Sequence, residues 1–212
     1  MYSKLKHTVL LLIVGFLLLL LSNCKNKENV LAPKEYVAWV EDKDNGLRIE
    51  RLMNPITYTL QYKPYDYVIA KEERSNTISK STFADWYKEL DKMQYYTLRI
   101  EAKGVTDILK MNSPSQQEYY QRQNYLTYEF QGDIQLVDGT DTIPCDLFQM
   151  VGNYGLAPYI DFVIGFKSKD AIQNQVQHDK QFILEDKIFG GGILKFIVKK
   201  EDINKIPEIK KL

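Results

Sequence analysis

The chain predicts an α+β fold built on an antiparallel β-sheet, and three observations carry that expectation. Ile56, Tyr58, Leu60 and Tyr62 alternate with Thr57, Thr59 and Gln61, the period-two signature of a strand with one buried face. Phe83, Trp86, Tyr87, Leu90 and Met93 recur at helical spacing, the signature of an amphipathic helix. Helical patterns crowd the first two thirds of the sequence and strand patterns fill the last third, which is not the regular alternation of a parallel α/β fold.

The elements follow in order. Lys4 and Lys6 precede the apolar run Val9 to Leu21, and Leu21-Ser22-Asn23-Cys24 closes it. A spanning helix needs roughly 20 apolar residues, so this run is too short to cross a bilayer and reads as a removed export signal. Cleavage before Cys24 would expose a thiol and an amine for acylation. Residues 1–23 are therefore expected to be a lipoprotein signal peptide, although Asn23 stands where a small residue is usual. Each buried methylene contributes on the order of 0.8 kcal/mol, and more than one acyl chain is needed for stable anchoring, a condition that a triacylated Cys24 meets. Residues 24–31 are polar and charged after the cysteine and read as a tether. Residues 32–212 show no repeat or low-complexity tract and are expected to form a single globular domain.

Within it, Pro33 suits the first turn of a short helix carrying Tyr36, Trp39 and Val40, and Asn45-Gly46 stops that helix. Leu47 to Met53 and Ile56 to Tyr62 form a hairpin around Asn54-Pro55. Pro64 to about Lys71 reads as a second helix. Ser81 or Thr82 caps a third, running from Thr82 to Met93. Tyr96, Leu98 and Ile100 alternate as a strand. Ser113-Pro114-Ser115-Gln116 reads as a capping box opening a helix through about Tyr125. Ile134 to Val137 and Thr142 to Val151 flank the turn Asp138-Gly139. Tyr159 to Phe166, Phe182 to Asp186 and Ile193 to Val198 complete the strands, the last two joined by Gly190-Gly191-Gly192.

Composition narrows the function. The 28 basic and 28 acidic residues cancel, and loss of Lys4 and Lys6 with the signal leaves the mature chain at about −2. No basic field exists to attract nucleic acid. Cys24 is committed to lipid, so Cys145 is expected to be a buried, unpaired thiol in a strand. His7 leaves with the signal, and His178 sits in the polar run Gln175 to Lys180, so no histidine-rich metal site can form. Counted back from Gly46, a calcium loop would place Lys43 and Leu52 at ligand positions, which fails. The triglycine is followed by a strand-like run rather than a phosphate-binding helix. No catalytic, cofactor or metal set is therefore expected. The fifteen tyrosines suit strands and a core, and an alternative is an aromatic interaction surface on Tyr119, Tyr120 and Tyr125 or on the loop Tyr154 to Tyr159.

Three stretches carry a resemblance. They are Tyr36-Val37-Ala38-Trp39-Val40-Glu41-Asp42 through Asn45-Gly46-Leu47 with Gln61-Tyr62-Lys63-Pro64; Leu136-Val137-Asp138-Gly139 through Pro144-Cys145; and Phe189-Gly190 through Phe196 with Lys205-Ile206-Pro207. Together they resemble an uncharacterised family of outer-envelope lipoproteins from Bacteroidetes-type bacteria. The resemblance implies an outer-membrane lipid anchor and no particular activity. The run Lys25-Asn26-Lys27-Glu28 lacks the acidic residues that follow the cysteine in some surface-exported lipoproteins, so the periplasmic and surface faces both stay open. The expected function is a non-enzymatic binding module held at the envelope through Cys24, with an envelope protein or a glycan as partner. The alternatives are a carboxylate-based hydrolase acting on glycans and a structural subunit of an envelope complex.

Overall fold

The computed structural model describes residues 30–90, 93–113, 115–152, 157–168 and 177–212. The expected signal segment, Cys24 and most of the expected tether lie outside them. Leu31–Leu212 forms one compact unit, which is described below.

Its frame is an eight-stranded antiparallel sheet. The strands are β1 (Arg48–Met53), β2 (Ile56–Lys63), β3 (Met93–Ala102), β4 (Ile134–Asp138), β5 (Asp141–Val151), β6 (Tyr159–Lys167), β7 (Lys180–Asp186) and β8 (Gly192–Val198). Their order across the sheet is β1-β2-β3-β6-β5-β4-β7-β8. Hairpins join β1 to β2, β4 to β5 and β7 to β8, while β3 pairs with β6 along nearly its whole length. With the five α-helices among the described residues, this is an α+β architecture.

Strict alternation sets the two faces. Tyr58, Leu60 and Tyr62 on β2, Tyr96, Leu98 and Ile100 on β3, and Phe162, Ile164 and Phe166 on β6 are buried, while the residues between them, apart from the buried Gln61 and Gly165, are more exposed. The inward rings form a ladder: Tyr62 to Tyr96 at 5.3 Å, Tyr96 to Phe166 at 5.6 Å, Phe166 to Phe182 at 5.8 Å and Phe182 to Phe196 at 6.2 Å. Tyr96 on β3 also lies 5.7 Å from Phe182 on β7, although three strands separate them in the sheet. Side chains of a flat sheet could not meet across that span. The sheet therefore curls around its own aromatic core, and its edge strands β1 and β8 approach each other. Each buried ring contributes roughly 2–3 kcal/mol by leaving water, so the ladder is a main source of cohesion.

Helices close the structure. In α1 (Pro33–Glu41) proline occupies the first turn, and the Glu35 carboxylate accepts from Ala32 N at 3.3 Å. It packs on α2 (Tyr65–Glu73), which packs on α3 (Lys80–Leu90). The third helix ends before Met93, which begins β3 opposite Lys167 instead of continuing the helical pattern. In α4 (Gln116–Asn124) the N-cap is Ser115, whose hydroxyl accepts from Glu118 N at 3.1 Å, two residues later than the expected Ser113; Pro114 lies outside the described residues. A short α5 (Lys200–Ile203) follows β8.

Candidate functional site

The helix α4 does not stop at Tyr125. It continues as a π-helical turn over Tyr125–Glu129, sealed by Phe130 N donating to Tyr125 O. Such turns insert an extra residue per turn, widen the helix and recur at functional sites. Here the wider turn brings Asn124 Nδ2 to 3.3 Å from Glu129 Oε1, five residues on. Together with Gln116, Gln117 and Gln121, these two side chains line a shallow groove of about 780 Å³, and the rings of Tyr120 and Tyr125 complete it.

The groove stands on rigid supports. Arg122 is buried and donates to the carbonyls of Leu109, Met111 and Asn112 and to Glu118 Oε1 at 2.6 Å, which pins α4 to the preceding loop. Tyr125 donates its hydroxyl to Asp133 Oδ2, and Lys187 holds the other oxygen of that carboxylate. Burial, then Asp133, raises the Tyr125 hydroxyl above the ordinary tyrosine range, so it is a donor at any physiological pH. Phe130, next along the chain, packs on Phe148 and Phe162 of the core. Tyr120 by contrast is 60% exposed.

Of the tyrosines singled out from the sequence, three come together here. Tyr119 is half-buried and meets the Tyr120 ring edge-on at 5.9 Å; Tyr120 and Tyr125 both face the groove. Tyr159 is elsewhere: it begins β6, and the Arg99 guanidinium stacks on its ring at 3.9 Å. Tyr154 lies outside the described residues.

A second depression opens on the outer face of β2, β3 and β6. It holds about 240 Å³ and is lined by Glu41, Arg48, Lys63, Arg99 and Asp161 among the charged residues, with Thr59, Gln61, Thr97 and Tyr67. Strand register builds it: Thr97 faces Gln61, Arg99 faces Thr59, and Asp161 faces Arg99 across the next pair. Arg99 grips Asp161 through two bonds of 2.7 Å, which raise its basicity further. Glu41 accepts from Tyr67 at 2.7 Å and from Lys71 at 3.0 Å. Partial burial pushes the Glu41 carboxyl up, but those bonds outweigh it and hold it below the ordinary carboxylate range. Burial, reinforced by Lys71, holds the Lys63 ammonium below the ordinary lysine range against the raising effect of Asp161, Glu41 and Glu72.

The sequence had marked neither the π-turn nor this cleft. Thr57, Thr59 and Gln61 were visible as the face opposite the apolar one, but Lys63 was not read as part of it, and the neighbours on β3 and β6 are set by pairing. Among the described residues no cluster of three or more metal-ligating side chains forms, and no helix is long and apolar enough to cross a membrane. His178 is exposed beside the Asp138-Gly139 turn.

No family model matches the chain, and no curated protein sequence matches it either. Among solved structures it is similar to a protein of unknown function from Burkholderia pseudomallei K96243, at 11% identity and a TM-score of 0.38, over 85% of this chain and 95% of that one. A likeness of that size carries no argument about activity.

Proposed function

We propose that this is a lipid-anchored envelope protein whose folded unit is a non-enzymatic binding module, and that the groove on α4 takes a neutral glycan. The anchor reading rests on Leu21-Ser22-Asn23-Cys24 after an apolar run. The binding reading rests on one observation: carboxamides and one carboxylate surround an exposed tyrosine ring in an open groove. Carboxamides both donate and accept, which suits vicinal hydroxyls. A tyrosine face suits the apolar C–H side of a sugar ring. Glu129 is the one charged group in that lining and disfavours an anionic ligand.

A glycan hydrolase is the alternative from another class. It needs a carboxyl raised towards neutrality as the acid, beside an ionised partner. Glu41 and Asp161 share the second cleft, yet Glu41 is lowered and Asp161 is held by Arg99. That pairing favours binding over hydrolysis.

The test is titration of the full-length chain in detergent with neutral oligosaccharides, read by backbone amide shifts. Saturable shifts over Gln116 to Glu129 are expected, weakened about tenfold or more by Tyr120→Ala, the equivalent of about 1.4 kcal/mol. Binding that ignores Tyr120→Ala, or none across a broad oligosaccharide panel, overturns the glycan reading. For the anchor, Cys24→Ala should abolish incorporation of labelled fatty acid and release the protein from membranes; persistent labelling would sink it.

A further inference from the structure

The cleft on the outer sheet face has a charge that its own residues leave unanswered. Arg99 is matched by Asp161, Glu41 by Tyr67 and Lys71, and Arg48 by Glu50 at 3.4 Å. Lys63 is different. Among the described residues no carboxylate lies within 4 Å of its Nζ, whose near neighbour is the Tyr67 ring with its centroid 5.9 Å away. The carboxylates of Asp161, Glu41 and Glu72 act on this half-buried ammonium only from beyond ion-pair distance, so a ligand that brings a carboxylate into contact with it is favoured.

Two hydroxyls flank it. Thr97 lies opposite Gln61 and so sits diagonally between Thr59 and Lys63, within reach of a long side chain. Neither threonine hydroxyl has a hydrogen-bond partner among the described residues. The cleft thus presents one ammonium and two free hydroxyl donors on a surface already fixed by the bidentate Arg99–Asp161 pair.

We propose that this cleft binds the carboxylate of a small organic acid, with Lys63 as its counter-ion and Thr59 and Thr97 as its hydrogen-bond donors.

The charge of the ligand follows from the lining. Arg99 is paired with Asp161, Arg48 with Glu50 and Glu41 with Lys71, which leaves Lys63 as the surplus cation of the lining. A monoanion fits that surplus. A dianion such as phosphate would place its second charge against Glu41 and Asp161 at a separation where like charges repel. The size follows as well: about 240 Å³ is below the roughly 300–1,000 Å³ of pockets for drug-sized ligands, so the fit is a small acid or one acidic group. This site is independent of the groove on α4, and either can fail without the other.

The experiment titrates the full-length chain in detergent with acetate, glucuronate and inorganic phosphate at constant ionic strength and neutral pH, following the backbone amides of Thr59, Lys63 and Thr97. Saturable shifts with acetate or glucuronate are expected, with phosphate at least several-fold weaker. Lys63→Gln should abolish the shifts and Thr97→Val should weaken binding at least threefold. Both variants keep the outward position and leave the aromatic core untouched, and an unchanged unfolding midpoint confirms this. Two results overturn the proposal: carboxylate binding that survives Lys63→Gln, or no saturable shift with either carboxylate. Phosphate binding more tightly than both carboxylates overturns it as well, since the charge argument then fails.

Discussion

Tyr58 donates its hydroxyl to Asp186 Oδ2 at 2.5 Å, tying the first hairpin to the last across 128 positions of sequence. Both residues are buried. The same carboxylate accepts from the backbone N–H of Ile188, Phe189 and Gly191, so it organises the β7–β8 turn while it anchors that turn to β2. Gly191 is glycine for space: a Cβ there would stand 2.6 Å from the Tyr58 hydroxyl and 2.9 Å from Asp186 Oδ2. Tyr58→Phe is expected to lower stability by about 2 kcal/mol, the range for a hydrogen bond to a charged group. Asp186→Ala strands three backbone donors as well and should cost about 4 kcal/mol. Gly191→Ala should be less harmful in a Tyr58→Phe background, because the nearest obstructing atom is gone, although Asp186 Oδ2 at 2.9 Å and the ring carbon Cζ at 3.0 Å remain. Urea midpoints of the four proteins measure this; strict additivity of the two substitutions would show that the contact is not shared.

A second buried polar node sits at the other end of the curled sheet. Lys180 lies on β7 directly opposite Asp138 on β4, and its Nζ is 2.5 Å from Asp138 Oδ2. Gln94 Nε2 donates to the same oxygen at 3.0 Å. The lysine side chain is only 7% exposed, so its charge depends on this partner. Asp138→Leu alone should destabilise by about 3 kcal/mol or more, by leaving the ammonium buried and unpaired. Adding Lys180→Met to it should recover most of that loss, since an apolar pair of similar volume replaces the ions at little net change. Thermal unfolding of single and double variants decides the point; a double variant worse than Asp138→Leu would exclude it.

How far the sequence could be read follows from these same residues. Period-two alternation in Ile56 to Tyr62 and at Tyr96, Leu98 and Ile100 was legible because each strand has one buried face. The triglycine was legible as a hairpin turn, but not the carboxylate that fills it, since Asp186 and Tyr58 meet only in three dimensions. Met93 fitted the helical spacing that begins at Phe83, but pairing with Lys167 places it in β3. Ser113 was the expected cap, and the hydroxyl that reached a free N–H was that of Ser115. The π-turn left no periodic trace, because Tyr125 to Glu129 is held by packing of Phe130 and by Asp133. Lys63 lay just past the strand read from Ile56 to Tyr62, and its lack of an ion-pair partner is a property of the register of β2, β3 and β6.

Acid dependence should show two carboxylates acting in opposite directions. Asp66 is raised above its ordinary value by burial, against the lowering effect of the Tyr87 hydroxyl and of Lys211 at 3.8 Å. A carboxyl raised on folding binds protons more tightly in the native state, so its contribution is most favourable at low pH and is lost as pH rises through the folded value. Glu41 is lowered on folding, so its contribution is present above the unfolded value and is lost as pH falls through the folded one. The stability of the parent relative to Asp66→Asn should therefore fall as pH rises from about 3 to 7. Relative to Glu41→Gln it should rise over the same interval, by a small amount because the Glu41 side chain is 42% exposed. Denaturant midpoints across that range test both signs, and parallel trends for the two variants would contradict the assignment.

Cys145 offers a last check on how the chain uses its two cysteines. It is buried at the end of the run paired to β6, and its Sγ donates to Leu147 O at 3.2 Å. Burial pushes the thiol up to about 12, which leaves very little thiolate at neutral pH. In a Cys24→Ala background, where Cys145 is the one remaining thiol, alkylation of the native protein at pH 8 should be slower than that of a free thiol by roughly a thousandfold. Unfolding in guanidinium should restore the ordinary rate. Because alkylation then proceeds through rare opening, the native rate should increase in parallel with destabilisation by Tyr58→Phe. Fast stoichiometric labelling of the folded chain would place the thiol at an accessible surface and would contradict its burial between β5 and β6.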